Sequence, residues 1–225
     1  MDVKQTVMSK IEPEIMSQLE ALSLDATRPL IITDADEVLL KFMERVEVYL
    51  EGQGLWIDLQ NFGLSNNIKS RETNEPVQVP TLIDDFFAAE TPHIEAADGA
   101  AEYLEALSDH AQIIVLTNLP ADHKQARIDN LKGHGMDYPV VVNSGLKGAP
   151  VKWLAEKVDA PVFFLDDIPH NVNSVAEHAP HVHCIHFIAD PRLQKLIGKA
   201  DGATARIDVW GEVHDWITGK INAHR

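Results

Sequence analysis

Short runs of apolar residues alternate along this chain with longer stretches in which apolar positions recur every three or four residues. Five runs stand out: Pro29-Leu30-Ile31-Ile32-Thr33, Gln112-Ile113-Ile114-Val115-Leu116, Pro139-Val140-Val141-Val142, Pro161-Val162-Phe163-Phe164-Leu165 and His183-Cys184-Ile185-His186-Phe187-Ile188. Each is short, mostly apolar and close to punctuating residues, which predicts a strand buried on both faces of a parallel sheet. The intervening segments carry helical stripes: Leu39, Phe42, Met43, Val46 and Leu50; Tyr103, Leu104 and Leu107; Val151, Leu154, Ala155 and Val158. Strand–helix alternation of this kind predicts a doubly wound, mainly parallel, Rossmann-like α/β sheet. No internal repeat interrupts it.

Two regions depart from that rhythm. Residues 1–28 hold the stripe Ile11, Ile15, Leu19 and Leu22 before the first strand, and predict an added helix packed on the core. Residues 52–95 separate the first βα unit from the second and include Glu75-Pro76-Val77-Gln78-Val79-Pro80. A structureless loop of that length inside a compact domain is improbable, so the segment is expected to form a small, partly helical cap. The core is then 29–51 and 96–225. The insertion enters just after the first strand's carboxyl end, where open α/β sheets bind their ligands.

Composition narrows the classes. Among 225 residues, 45% are hydrophobic, enough for a sizeable core. Thirty-five acidic residues against 19 Lys plus Arg give a formal charge of −16, which repels nucleic acid and anionic membranes; neither is expected as a partner. The single cysteine, Cys184, excludes an internal disulfide framework, and the first residues lack the apolar run of a signal peptide. A cytoplasmic protein is expected.

The strand ends carry the chemistry. The first empties into Thr33-Asp34-Ala35-Asp36-Glu37, two carboxylates two residues apart. Such a pair is either a solvated turn with a helix cap, or is held by a cation or a shared proton. The second long strand ends in Leu116-Thr117-Asn118, whose hydroxyl and following N–H groups suit phosphate oxygens. The fourth ends in Leu165-Asp166-Asp167, a further acidic pair, and Ser144-Gly145-Leu146-Lys147-Gly148 places a lysine in a loop between them.

In this order, the four motifs resemble the haloacid dehalogenase-like (HAD-like) superfamily of phosphatases and phosphotransferases. Asp34-Ala35-Asp36-Glu37-Val38 matches its first motif, Thr117 its second, Lys147 its third, and Asp166 with Asp167 its fourth. The resemblance covers about residues 29–190, without the insertion. It implies Asp34 as nucleophile, forming an aspartyl-phosphate, and Asp36 as acid and then base. It implies Thr117, Asn118 and Lys147 on the phosphoryl group, and Mg²⁺ held by Asp34, Asp166, Asp167 and the Asp36 carbonyl. The implied activity is hydrolysis of a small phosphomonoester, such as a nucleotide or sugar phosphate. A phosphomutase on the same residues and a non-catalytic binding or regulatory protein are the alternatives. Lys147 is preferred to Lys152, which opens a helical stripe. Asp36 favours phosphoryl chemistry, because the dehalogenases of the superfamily lack that second aspartate.

One departure is Glu37, where many members have Gly. Its side chain is left open between solvent, the site and the metal's surroundings. Asn66, Asn67, Lys69 and Arg71 form either the polar face that turns from the cap towards substrate or a mobile polar loop. The tract His178-Ala179-Pro180-His181-Val182-His183-Cys184-Ile185-His186 matches no spaced zinc motif and is read as packing, as are the tryptophans. His170, near the acidic pair, has a better claim than that tract to line the site, but is expected to be an exposed loop histidine.

Overall fold

The computed structural model describes residues 11–60 and 67–224. After helix α1 (Pro13–Glu20) comes strand β1 (Leu30–Thr33), then α2 (Phe42–Glu51). The insertion follows: an antiparallel hairpin of β2 (Leu55–Ile57) and β3 (Ile68–Ser70), helix α3 (Leu82–Glu90) and a 3₁₀ turn at Thr91–His93. The rest alternates: α4 (Ala100–Ser108), β4 (Gln112–Asn118), α5 (Lys124–Gly133), β5 (Val140–Asn143), α6 (Gly148–Ala155), β6 (Val162–Asp166), α7 (Pro169–His178) and β7 (His183–His186). Helix α8 (Pro191–Leu196), strand β8 (Ala205–Arg206) and α9 (Trp210–His224) close the chain. The main sheet is parallel at every pairing, in the order β5-β4-β1-β6-β7-β8.

Strand periodicity produces the two-sided winding. Successive side chains of a strand point to opposite faces. Ile31, Ile113, Val115, Phe163, Leu165 and Ile185 therefore pack on one face with α2, α3, α4 and α9. Leu30, Ile32, Ile114, Leu116, Val162, Phe164 and Cys184 pack on the other with α1, α6 and α7. This is a doubly wound α/β fold.

Several boundaries differ from the pattern-based ones. β4 runs two residues beyond Leu116 because Thr117 and Asn118 pair with Val142 and Asn143. α6 ends before Val158, and two-residue β8 is too short to leave a periodic signal. The insertion has the hairpin in its first half and α3 in its second half. Its Ile57, Ile68, Leu82, Phe86 and Phe87 belong to the same apolar cluster as Ile31 of the sheet. Phe42 of α2 meets Phe86 edge-on at 5.1 Å, which fastens α3 to the first βα unit. Among the described residues, no helix is long and apolar enough to cross a membrane.

Candidate active site

The order of the strands brings the acidic ends together. β1 lies between β4 and β6, so Asp34, Thr117 and Asp166 leave the sheet at the carboxyl ends of three adjacent strands. Lys147, the last residue before α6, joins two of them. Its Nζ stands 2.9 Å from Asp34 Oδ2 and 2.7 Å from Asp166 Oδ2, and its side chain is wholly buried. Burial pulls the ammonium towards neutrality, but the two carboxylates outweigh it, and the net shift is upward. Lys147 therefore stays charged.

Backbone geometry seats this lysine. Gly145 turns the preceding loop with φ 76°, and Gly148 lets α6 approach α7. A Cβ at Gly148 would lie 2.6 Å from the Ser174 carbonyl oxygen. Lys152, one turn into α6, is partly exposed and makes no ion pair among the described residues.

The remaining strand-end residues divide by what they touch. Asp34 Oδ1 accepts the Ala35 N–H at 2.7 Å. Asp166 Oδ1 accepts from the Ile168 N–H at 2.9 Å and the Asn171 amide at 3.0 Å. The Thr117 hydroxyl is buried without a hydrogen-bond partner among the described residues. Asn118 is exposed, and its side chain is engaged: it donates to the Gly145 carbonyl at 2.9 Å and accepts from Asn143 at 2.8 Å. It braces the lysine loop.

Asp36 is engaged by a helix beside the sheet. Its Oδ1 accepts from Arg127 Nη2 at 2.7 Å, and its side chain is absent from the carboxylate cluster. Burial raises its pKa to about 6, against the pull of Arg127 and with the push of the Asp34 charge. The carboxylates that can share an ion are Asp34, Asp166 and Asp167, with one oxygen from each lying within 4.8 Å of the others. Burial first, then the charges of Asp166 and Asp34, push Asp167 well above the usual carboxylate range. A hard divalent cation fits this all-oxygen set and would relieve its repulsion.

Comparison of the sequence with family models finds no match, and comparison with curated proteins finds none. Solved structures do match. A haloacid dehalogenase-like family hydrolase from Xanthomonas campestris superposes with TM-score 0.55 at 14% identity, covering 89% of this chain and 99% of its own. YfnB of Bacillus subtilis, described as a HAD-hydrolase and bound to magnesium, gives 0.58 at 11% identity, over 86% and 99% of the two chains. CbbY from Rhodobacter sphaeroides, in complex with phosphate, gives 0.52 at 17% identity, over 82% and 95%. This chain has the HAD-like fold.

Within that HAD-like frame, Glu37 has a definite place. It takes a left-handed backbone, φ 57°, which explains why glycine suits the position and costs a non-glycine residue about 1 kcal/mol. Its side chain turns inward: Oε1 accepts the Met43 N–H at 2.6 Å and Oε2 the Asp190 N–H at 3.0 Å. The carboxylate thus ties the first turn of α2 to the start of α8. Burial, against those two bonds, raises its pKa from an ordinary 4.5 to about 7. A folded pKa above the unfolded one gives stability that is complete below about 4.5 and lost as pH rises through about 7. Glu37→Gln, which sets an NH₂ against one of the two N–H groups, should therefore cost more at pH 5 than at pH 8, by about 1–3 kcal/mol. Urea unfolding at both pH values checks this; an unchanged gap between variant and wild type refutes it.

The cations expected on the substrate-facing side of the insertion are engaged elsewhere. Lys69 Nζ pairs with Asp58 at 2.7 Å and lies 5.0 Å from the Trp56 ring centroid, all within the hairpin. Arg71 pairs with Glu51 of α2 at 3.2 Å on the surface. No ion pair among the described residues joins either to the strand-end aspartates, because hairpin pairing places them next to closer acids. Asn66 lies outside the described residues, and Asn67 is buried.

His170 is exposed. His183 stacks on Phe163 at 5.4 Å, and Cys184 is buried, its thiol pushed up to about 12 by burial. His186 accepts the Ala200 N–H at Nδ1, which makes Nε2 the donor to the Asp167 carbonyl at 2.8 Å. It pins the acidic loop from β7. Neither this brace nor Arg127 has a local sequence signal: their partners lie 19 and 91 positions away.

Proposed function

We propose that this chain is a phosphoryl-transfer enzyme that hydrolyses a small phosphomonoester, such as a nucleotide or sugar phosphate, with Mg²⁺ as its ion. The observation that carries the reading is the buried Lys147 ammonium between Asp34 and Asp166, beside a strand whose buried Thr117 hydroxyl has no hydrogen-bond partner among the described residues. A lysine ammonium held between two carboxylates and a hydroxyl without a partner among the described residues suit the oxygens of a phosphoryl group, with Asp34 as the nucleophile.

In the proposed cycle, an Asp34 carboxylate oxygen attacks phosphorus and the ester P–O bond breaks. The leaving oxygen takes its electron pair and a proton from Asp36. Asp36, now a carboxylate, removes a proton from water, whose oxygen displaces Asp34 from phosphorus and releases inorganic phosphate. Lys147 and Thr117 hold the equatorial oxygens throughout. Mg²⁺ on Asp34, Asp166 and Asp167 would offset repulsion between substrate phosphate and these carboxylates. The insertion 52–95 would cover the site and select the leaving group. The excess acidity elsewhere argues for a small substrate over nucleic acid.

The test is phosphate release from a panel of nucleotide, sugar and aryl monoesters, with Mg²⁺ and with chelator, for wild type and Asp167→Asn. Release that needs Mg²⁺ and weakens in Asp167→Asn is expected. Equal release in chelator removes the metal from the reading, and silence on every ester favours a non-catalytic role. An isomerised sugar phosphate without free phosphate would identify a mutase.

A further inference from the structure

Arg127 is the least expected side chain in the molecule. It sits on α5, a helix that buries Arg127 and Asn130 where an apolar stripe would ordinarily lie. Its guanidinium is fully buried, yet among the described residues it makes one hydrogen bond, from Nη2 to Asp36 Oδ1. Nε and Nη1 are buried without hydrogen-bond partners among the described residues. Across its face lies Phe87 of α3, with the ring centroid 5.8 Å from Cζ.

A residue with only a packing role would not look like this. Replacing a buried ion pair, both partners together, by apolar side chains of similar volume is commonly neutral or stabilising, and leaving guanidinium donors unpaired is costly. Asp36 is the ionic partner that accounts for the burial. The same helix face fixes the return of the insertion: the Asn130 amide donates to the Ile94 carbonyl at 2.9 Å, and His134 Nε2 meets that oxygen at 2.9 Å. α5 therefore holds both the end of the insertion and, through Arg127, one oxygen of Asp36.

We infer that Arg127 is the positioning residue for proton transfer by Asp36. It clamps Oδ1, so that Oδ2 faces the leaving oxygen, and Phe87 limits the guanidinium's travel from the insertion's side. The inference rests on the phosphomonoester reading above. The step is the one already balanced there: as the ester P–O bond breaks, its electron pair stays on the leaving oxygen and the Asp36 proton moves to it.

The readout is leaving-group dependence. An alkoxide needs that proton, whereas a nitrophenolate departs without it. For Arg127→Met, kcat/KM on an alkyl phosphate is expected to fall by roughly 100-fold or more. On nitrophenyl phosphate it should fall less than about 5-fold, because no proton is needed in that step. Arg127→Lys, which retains a cation capable of one hydrogen bond, should recover part of the alkyl-ester rate. It also serves as the test variant if the Met form does not fold. An equal fall on both esters in the folded variant, or none on either, overturns the inference while leaving the functional reading intact. Hydrolysis of neither ester by wild type, across the full panel, overturns both.

Discussion

Asp34→Asn is expected to abolish phosphate release from any ester that the wild type hydrolyses, a loss on the order of 10⁴-fold or more. The substitution is isosteric and leaves the cleft its shape, so its effect reports on the reacting atom. An amide is a poor nucleophile towards phosphorus, and the aspartyl-phosphate cannot form. The structure adds a second consequence. Asp34 accepts from the Ala35 N–H with Oδ1 and faces the Lys147 ammonium with Oδ2. An asparagine can satisfy only one of these with its oxygen, so its NH₂ meets a donor in either orientation, and a modest fall in stability should accompany the loss of turnover. Phosphate-release assays, run alongside thermal unfolding of the folded variant, separate the two effects. Release above a tenth of the wild-type rate would sink the nucleophile assignment.

Legibility in the sequence followed the range of the interaction that places each group. Strand ends are local: an apolar run that stops at Asp34, Thr117 or Asp166 announces the sheet edge from which those residues leave, and parallel order then brings them side by side. Lys147 was readable for the same reason, because a glycine-flanked loop must return to that edge. Glu37 was visible as a departure but not as a tie, since its Asp190 partner lies 153 positions away. Arg127 was invisible: α5 has little amphipathic pattern to mark which face is buried, and nothing near Arg127 in sequence names Asp36. Lys69 and Arg71 show the opposite case. Their scarcity in an acidic chain suggested a substrate role, yet hairpin pairing gave them nearer acids, Asp58 and Glu51. The net charge of −16 is similarly sharpened, since part of it is a strand-end cluster of three carboxylates, two of which pair with one lysine.

Lys147→Met should be the most destabilising change at the site. Met keeps the length and apolar stem of lysine, so the variant tests the ammonium and not the packing. Removing it leaves Asp34 and Asp166 buried near Asp167 with no cation among them, a situation that costs about 3–5 kcal/mol when one partner of a buried pair is deleted. The cost should depend on pH. Even with Lys147 present, burial and the Asp34 charge raise Asp166 to about 6, with the lysine pulling the other way. Without the lysine the carboxylates shift further upward, and a raised folded pKa gives stability that is present at low pH and lost as pH climbs through it. Lys147 itself does not titrate in this window, because its folded pKa is raised above an already basic value. The gap between variant and wild type should therefore be small at pH 5.5, where the carboxylates can hold protons, and widen by pH 8. Mg²⁺ added at pH 8 should narrow it, since an ion on the three carboxylates replaces the missing charge. Urea unfolding at both pH values, in chelator and in Mg²⁺, makes the comparison. A gap that is equal at pH 5.5 and pH 8 and indifferent to Mg²⁺ would show that the lysine is held by packing, and that the buried carboxylates do not depend on its charge.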